Sequence, residues 1–159
     1  MSATESAAGE AAIGVRPLET DDLEVLRSLD EAYAERTGMA TVVDPATLRH
    51  FARAGHAFVA YVDDASAPRG TVLAHTVWDG SRPVVRGARL VADDDDPVVL
   101  ARLLGALVKS AYDAGVYDVV VEVPEADGAG QAALRAAGFD ARPVRRFERV
   151  LGSRAAGAA

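Results

Sequence analysis

The sequence predicts an α+β domain in which one mixed sheet carries helices on both faces. Three observations lead there. Apolar runs between residues 57 and 91 are separated only by turns, which predicts an antiparallel meander. A long helical pattern over 97–114 then leads into a valine-rich run, which predicts a right-handed crossover between parallel strands. Two helical patterns precede the meander. The expected order is β-α-α-β-β-β-α-β-α-β-β, from Ile13 to Leu151.

Ile13 to Pro17 reads as a short strand. Thr20 is the expected cap of a helix whose first turn holds Asp21 and Asp22, where the dipole favours negative charge. Leu23, Leu26, Leu29 and Tyr33 follow at helical spacing, and Gly38 stops the run. Asp44-Pro45 opens a second helix, an N-cap followed by proline at the first helical position. Leu48, Phe51 and Ala52 mark its buried stripe and Gly55 its end.

The meander strands are expected at Ala57–Val62, Thr71–Trp78 and Val84–Val91, with Asp79-Gly80 as a hairpin signal. Asp96-Pro97 opens the long helix. Leu100, Leu103, Leu104, Leu107, Ala111 and Ala114 line its face, and Gly115 closes it. Val116 to Val123 is apolar enough to predict an interior strand covered on both faces. A helix over Gly128–Ala137 ends at Gly138, and Phe139–Val144 and Phe147–Leu151 are the last expected strands. Residues 1–12 and 152–159 read as disordered tails flanking one domain, 13–151.

Composition narrows the function. The 159 residues are 50% apolar and 26% charged, as a globular domain requires. Cysteine is absent, which excludes thiolate metal sites, iron–sulfur clusters, disulfides and cysteine nucleophiles. Three histidines (His50, His56, His75) offer little for a metal site, and no metal is expected. A formal net charge of −7 argues against nucleic acid and anionic membranes as partners. No apolar run approaches the roughly 20 residues of a membrane span, so a cytoplasmic protein is expected. A homodimer stays open.

Several motifs carry a family resemblance. Leu103-Leu104-Gly105-Ala106-Leu107-Val108 resembles the cofactor-helix body of the GNAT superfamily of acyl-CoA-dependent N-acyltransferases. Ala111–Val116 is similar to that superfamily's "AxxxGV" entry into its fifth strand. Leu134–Phe139 is similar to its "YxxxGF" helix end, with leucine at the first position. Phe51–His56, Val77-Trp78 and Val108–Tyr117 also resemble a small uncharacterised bacterial family with a GNAT-like fold and no established reaction.

The resemblance implies a GNAT-like fold and an acyl-CoA cofactor, acetyl-CoA or longer. Its diphosphate would rest on the amides opening the long helix. On that reading Leu90 and Val91 offer backbone groups to the thioester, and Val98, Val99, Leu100 and Ala101 approach the cofactor. The residues depart from the superfamily's Q/R-x-x-G-x-G/A pattern. Asp95 stands at the basic position, and Val98 and Leu100 at the small ones. Like charges near 4 Å repel by about 1 kcal/mol in water and about 4 at an effective dielectric of 20. A helix dipole returns only about 0.3–1 kcal/mol. The plain reading of Asp93–Asp96 is a helix cap with its acidic neighbours.

The proton donor of "YxxxGF" is replaced by Leu134, which is expected to pack against the sheet. An upstream asparagine in the related pattern corresponds to Asp127. Tyr112 and Tyr117 read as packing residues, and His75 as a hydrogen-bonded sheet histidine. Glu122, near the carboxyl end of a valine strand, is the candidate general base; its alternative is an ion pair with an arginine. Arg142, Arg145, Arg146, Arg149 and Arg154 gather near the end, and read as edge charges paired with acids such as Glu148. Two functions stand side by side: an atypical acyl-CoA-dependent N-acyltransferase of unknown acceptor, and a non-catalytic module of the same fold that binds a ligand or protein.

Overall fold

A computed structural model describes residues 12–63 and 67–152. Five strands form one sheet in sequence order: β1 (Gly14–Pro17), β2 (Phe58–Tyr61), β3 (Gly70–Trp78), β4 (Pro83–Ala92) and β5 (Val119–Val121). The first four pair antiparallel, and β5 joins β4 in parallel. The described residues form four α-helices, α1 (Leu23–Thr37), α2 (Pro45–Ala54), α3 (Pro97–Asp113) and α4 (Gly128–Ala136). The mixed sheet with helices on both faces is therefore the α+β fold the sequence predicts.

Alternation along the strands splits the core in two. Val59 and Leu73 face α1 and α2, where they meet Leu26, Leu48 and Phe51. Ala60, Val72, Ala74, Val85 and Leu90 face the other way, onto Leu103, Leu104 and Leu107 of α3 and Leu134 of α4. Helix punctuation follows the expected chemistry. Asp44 Oδ1 accepts from Thr47 N at 2.7 Å ahead of Pro45. Gly38, Gly55, Gly115 and Gly138 all have positive φ, the backbone that ends a helix at little cost only in glycine.

Three expectations are corrected. Thr20 does not cap α1. It opens a 3-10 turn, Thr20–Asp22, ahead of the helix. The Asp22 carboxylate instead accepts from Glu19 N at 2.9 Å and is gripped by both terminal nitrogens of Arg16. The valine run is not an interior strand. Only Val119–Val121 pairs, β5 lies last in the sheet, and Val120 is 40% exposed.

The two final strands are also missing among the described residues. Residues 140–152 are exposed, and Val144 N donates to Arg142 O across Pro143. Proline has no N–H to give a ladder, and the tight turn around it breaks the extended path a strand needs. Of the arginines, Arg146 pairs with Glu148 at 3.0 Å. Arg154 and nearly all of both expected tails lie outside the described residues.

Candidate functional site

The β4–β5 ladder is short, and its end creates the site. Val85, Arg86 and Gly87 face Val119, Val120 and Val121. On its other side β4 has a register shift: Ala74 faces Gly87 and Leu73 faces Arg89, leaving Ala88 as the extra residue of a bulge. A bulge bends its strand and sharpens the twist. Beyond it, Arg89–Ala92 continue with no strand on their outer side among the described residues. In open sheets, ligands bind beyond the carboxyl ends of parallel strands, where neighbours diverge.

Here the divergence is filled by polar side chains of the protein itself. Tyr33 comes from α1, on one side of the sheet. Its hydroxyl donates to Asp127 Oδ2 at 2.8 Å, at the start of α4 on the other side. Asp127 Oδ1 also accepts from Gly130 N at 2.8 Å. A Cβ at 130 would stand 2.3 Å from Asp127 Oδ2, so glycine lets the carboxylate keep this position. Burial, then the bond to Asp127, raises the Tyr33 pKa far above that of an ordinary phenol, so Tyr33 stays a donor.

Arg89 lies over the Tyr33 ring, 5.1 Å from its centroid. Its Nε is 3.1 Å from Asp30 Oδ1, and its Nη2 donates to Ala40 O at 2.5 Å. Asp30 Oδ2 accepts from Val42 N and Val43 N. Tyr33, Arg89, Asp30 and Asp127 are all at most 5% exposed. The buried Arg89 and Asp30 charges lie against each other, and each also holds backbone groups, Ala40 O or Val42 N and Val43 N.

The entrance to α3 is equally occupied. Pro97 has no amide hydrogen. Val98 N and Val99 N both donate to Asp96 Oδ1, at 2.9 and 3.4 Å, and Leu100 N donates to Asp96 O at 3.0 Å. Asp96 thus takes the amides that a helix usually offers to an outside anion. Before it, Asp94 and Asp95 have φ of 52° and 53°, a left-handed backbone that aspartate tolerates better than most residues. Asp93 pairs with Arg69 and Asp95 with Arg36, at 3.3 and 2.7 Å.

The residues singled out from sequence fall into separate places. Leu90, Val91, Val99 and Leu100 are buried, with Leu90, Val99 and Leu100 inside the core under α3. Val98 and Ala101 are exposed. Ala101 lines an apolar groove of about 640 Å³ between α3 and α4, with Leu104, Val108, Ala133 and Ala137 along it and Asp95 at one end. Glu122 is half-exposed at the end of β5, 3.4 Å from Arg86 and 3.3 Å from Arg146. Arg86 shares a sheet face with its cross-strand partner His75, whose ring meets Phe51 of α2. Glu122 is therefore on the α2 side, away from the groove.

Leu134 is buried in the core beside α3, as its chemistry suggests. Tyr112 and Tyr117 stack edge to face but are 70% and 78% exposed. His75 Nδ1 is 2.8 Å from His50 Nε2, and His56 Nδ1 is 2.8 Å from Ser110 Oγ. Sequence reasoning missed Asp30 and Arg89 entirely. The available signal was an arginine inside the apolar run that ends β4, since a charge there needs a buried partner. Among the described residues, no group of three or more His, Asp or Glu side chains gathers to hold a metal ion, and no helix is long and apolar enough to cross a membrane.

Known proteins place the chain. A family model described as protein of unknown function, DUF1999, matches residues 14–158. The chain belongs to the DUF1999 family. TTHA1254 from Thermus thermophilus is 36% identical, over 88% of this chain and 98% of that one, with a TM-score of 0.71. The DUF1999 chain also shares its fold with GNAT acetyltransferases. One is the aminoglycoside N-acetyltransferase AAC(6')-Iy in complex with CoA, at 19% identity over 87% and 95% of the two chains and a TM-score of 0.69. Another is the aminoglycoside acetyltransferase meta-AAC0020 from an uncultured soil metagenomic sample, in complex with sisomicin, at 16% identity over 88% and 97% and a TM-score of 0.68. No curated protein matches the DUF1999 chain.

Two outcomes follow from this geometry. Tyr33→Phe removes the hydroxyl that donates to Asp127 Oδ2 and leaves a buried carboxylate short of a partner. Urea unfolding at neutral pH should show a loss of about 1–3 kcal/mol, and an unchanged midpoint would refute the bond's contribution.

Burial holds His56 below the ordinary imidazole value of 6.5, and burial with His50 and Arg86 does the same for His75. The unfolded chain therefore takes up more protons than the folded one as pH falls through that value, and stability falls with it. His75→Gln should reduce the stability difference between pH 7.5 and 5.5. Equal differences in variant and wild type would reject the assignment.

Proposed function

We propose that this protein is a non-catalytic GNAT-fold module that binds an apolar, uncharged or cationic ligand along the α3–α4 groove. The observation that carries this reading is the Asp96 carboxylate seated on Val98 N and Val99 N. A coenzyme diphosphate would need those amides and would meet Asp94 and Asp95 beside them. The residues present do not fit that group. The Tyr33–Asp127 bond beyond the end of the β4–β5 ladder, with Arg89 on the tyrosine ring, supports the same reading. The groove itself is walled by alanine, leucine and valine, with a carboxylate at its end. Such a lining favours apolar surface and disfavours anions.

Titration calorimetry with acetyl-CoA and with longer acyl-CoAs, at low and moderate salt, tests the proposal. No saturable heat is expected. Micromolar binding that weakens in Val98→Asp would overturn it.

A second reading, acyl-CoA-dependent N-acyl transfer, draws on the groove and on the CoA complex of a protein with the same fold. In it Glu122 is the base, acting from the α2 side of the sheet, opposite the groove. Glu122→Gln would then abolish acetyl-CoA turnover with affinity nearly unchanged, whereas turnover equal to wild type would remove Glu122 from that role.

A further inference from the structure

We infer that the cleft between the start of β2 and the second half of α3 is a separate ligand site, built for a small organic cation that carries N–H donors on an apolar body. The cleft and the α3–α4 groove lie on opposite flanks of the buried leucine stripe of α3. The inference is therefore independent of what the groove binds.

His56 carries the argument. It lines the cleft, yet it is only 7% exposed. Its Nδ1 is 2.8 Å from Ser110 Oγ, and that hydroxyl donates its one hydrogen to Gly55 O at 3.1 Å. Nδ1 must then carry the ring proton and donate to Ser110. Nε2 is left as an acceptor with no hydrogen-bond partner among the described residues. Burial favours the neutral ring, so this acceptor persists near neutral pH. An acceptor on a buried side chain calls for a donor, and here the donor has to come from outside the chain.

The remaining lining selects the donor. Asp113 stands three residues beyond Ser110, which puts it on the same helix face as the imidazole contact. It also lies at the end of α3, where the helix dipole favours positive charge. Lys109, the single lysine among 17 basic residues, already donates to Asp113. The carboxylate thus accepts an N–H cation at this place. The two side chains are 76% and 57% exposed, so their pairing is weak enough for a ligand to displace. A planar fork of N–H groups, which grips a carboxylate at two points, is better suited to Asp113 than a point-charge ammonium. Phe58, Ala106 and Ala114 wall the cleft with apolar surface. Its volume of about 620 Å³ suits a small molecule. The net charge of −7 draws cations toward the protein and repels anions.

Three probes of one shape test the site: benzamidinium, benzamide and benzoate, which are cationic, neutral and anionic. Heteronuclear NMR of the imidazole nitrogens is the readout, with His56 assigned by its loss in His56→Gln. The α3–α4 groove is lined by no histidine, so a signal at His56 reports the cleft. Benzamidinium should move the His56 Nε2 resonance saturably at roughly millimolar concentration. Benzamide should bind about threefold or more weakly, and benzoate should leave the resonance in place.

Two exposed substitutions complete the test. Asp113→Asn should weaken benzamidinium by about threefold or more, and Lys109→Gln should tighten it by removing the competing ammonium. Both variants should keep the wild-type far-ultraviolet circular dichroism spectrum. An unmoved His56 resonance, benzoate binding equal to benzamidinium, or wild-type affinity in either variant overturns the inference. Calorimetric binding of benzamidinium without a shift at His56 places the cation elsewhere and overturns it as well.

Discussion

A helix offers only its first few amides to an outside anion, and in α3 one carboxylate has claimed them. Asp96 binds Val98 N and Val99 N through its side chain and Leu100 N through its carbonyl, while Pro97 contributes no donor. This cap stabilises the longest helix of the fold, whose buried leucines hold one face of the sheet. The same bonds decide what the entrance to that helix can receive.

The sheet shows a parallel arrangement. The β4–β5 ladder stops at Gly87 and Val121, beside the Ala88 bulge of the β3–β4 ladder. In this molecule Tyr33 reaches Asp127, and Arg89 lies on the tyrosine ring. Tyr33 pairs with Asp127 and Arg89 with Asp30, and backbone groups of Gly130, Ala40, Val42 and Val43 take most of their remaining bonds. The two helical layers are joined through the sheet as well as across it.

Much of this architecture was readable from residue patterns. Helix ends at Gly38, Gly55, Gly115 and Gly138 and caps at Asp44 and Asp96 follow from local backbone chemistry, which a sequence displays directly. The antiparallel meander and parallel crossover follow from connection length. The ends of the chain were less legible. Val116–Val123 looks like an interior strand because apolar content reports hydrophobicity and not the length of its ladder. Residues 139–151 alternate well enough to suggest strands, but Pro143 and the surrounding arginines outweigh the pattern.

The site divides in the same way. Asp96 could be read as a cap and Leu134 as a packing residue, since each depends on neighbours close in sequence. The Tyr33–Asp127 and Asp30–Arg89 pairs could not, because each joins residues far apart in the chain, and periodicity assigns Tyr33 only to a buried stripe.

The turn before α3 holds one more implication. Asp94 and Asp95 already follow the left-handed path that glycine adopts freely. The turn's flanking amides are spent within the chain, Asp93 N on Arg69 O and Asp96 N on Asp93 O. Glycine at 94 and 95 would follow the same path with less strain, so exchanging these residues alters the charge of the turn and leaves its course intact.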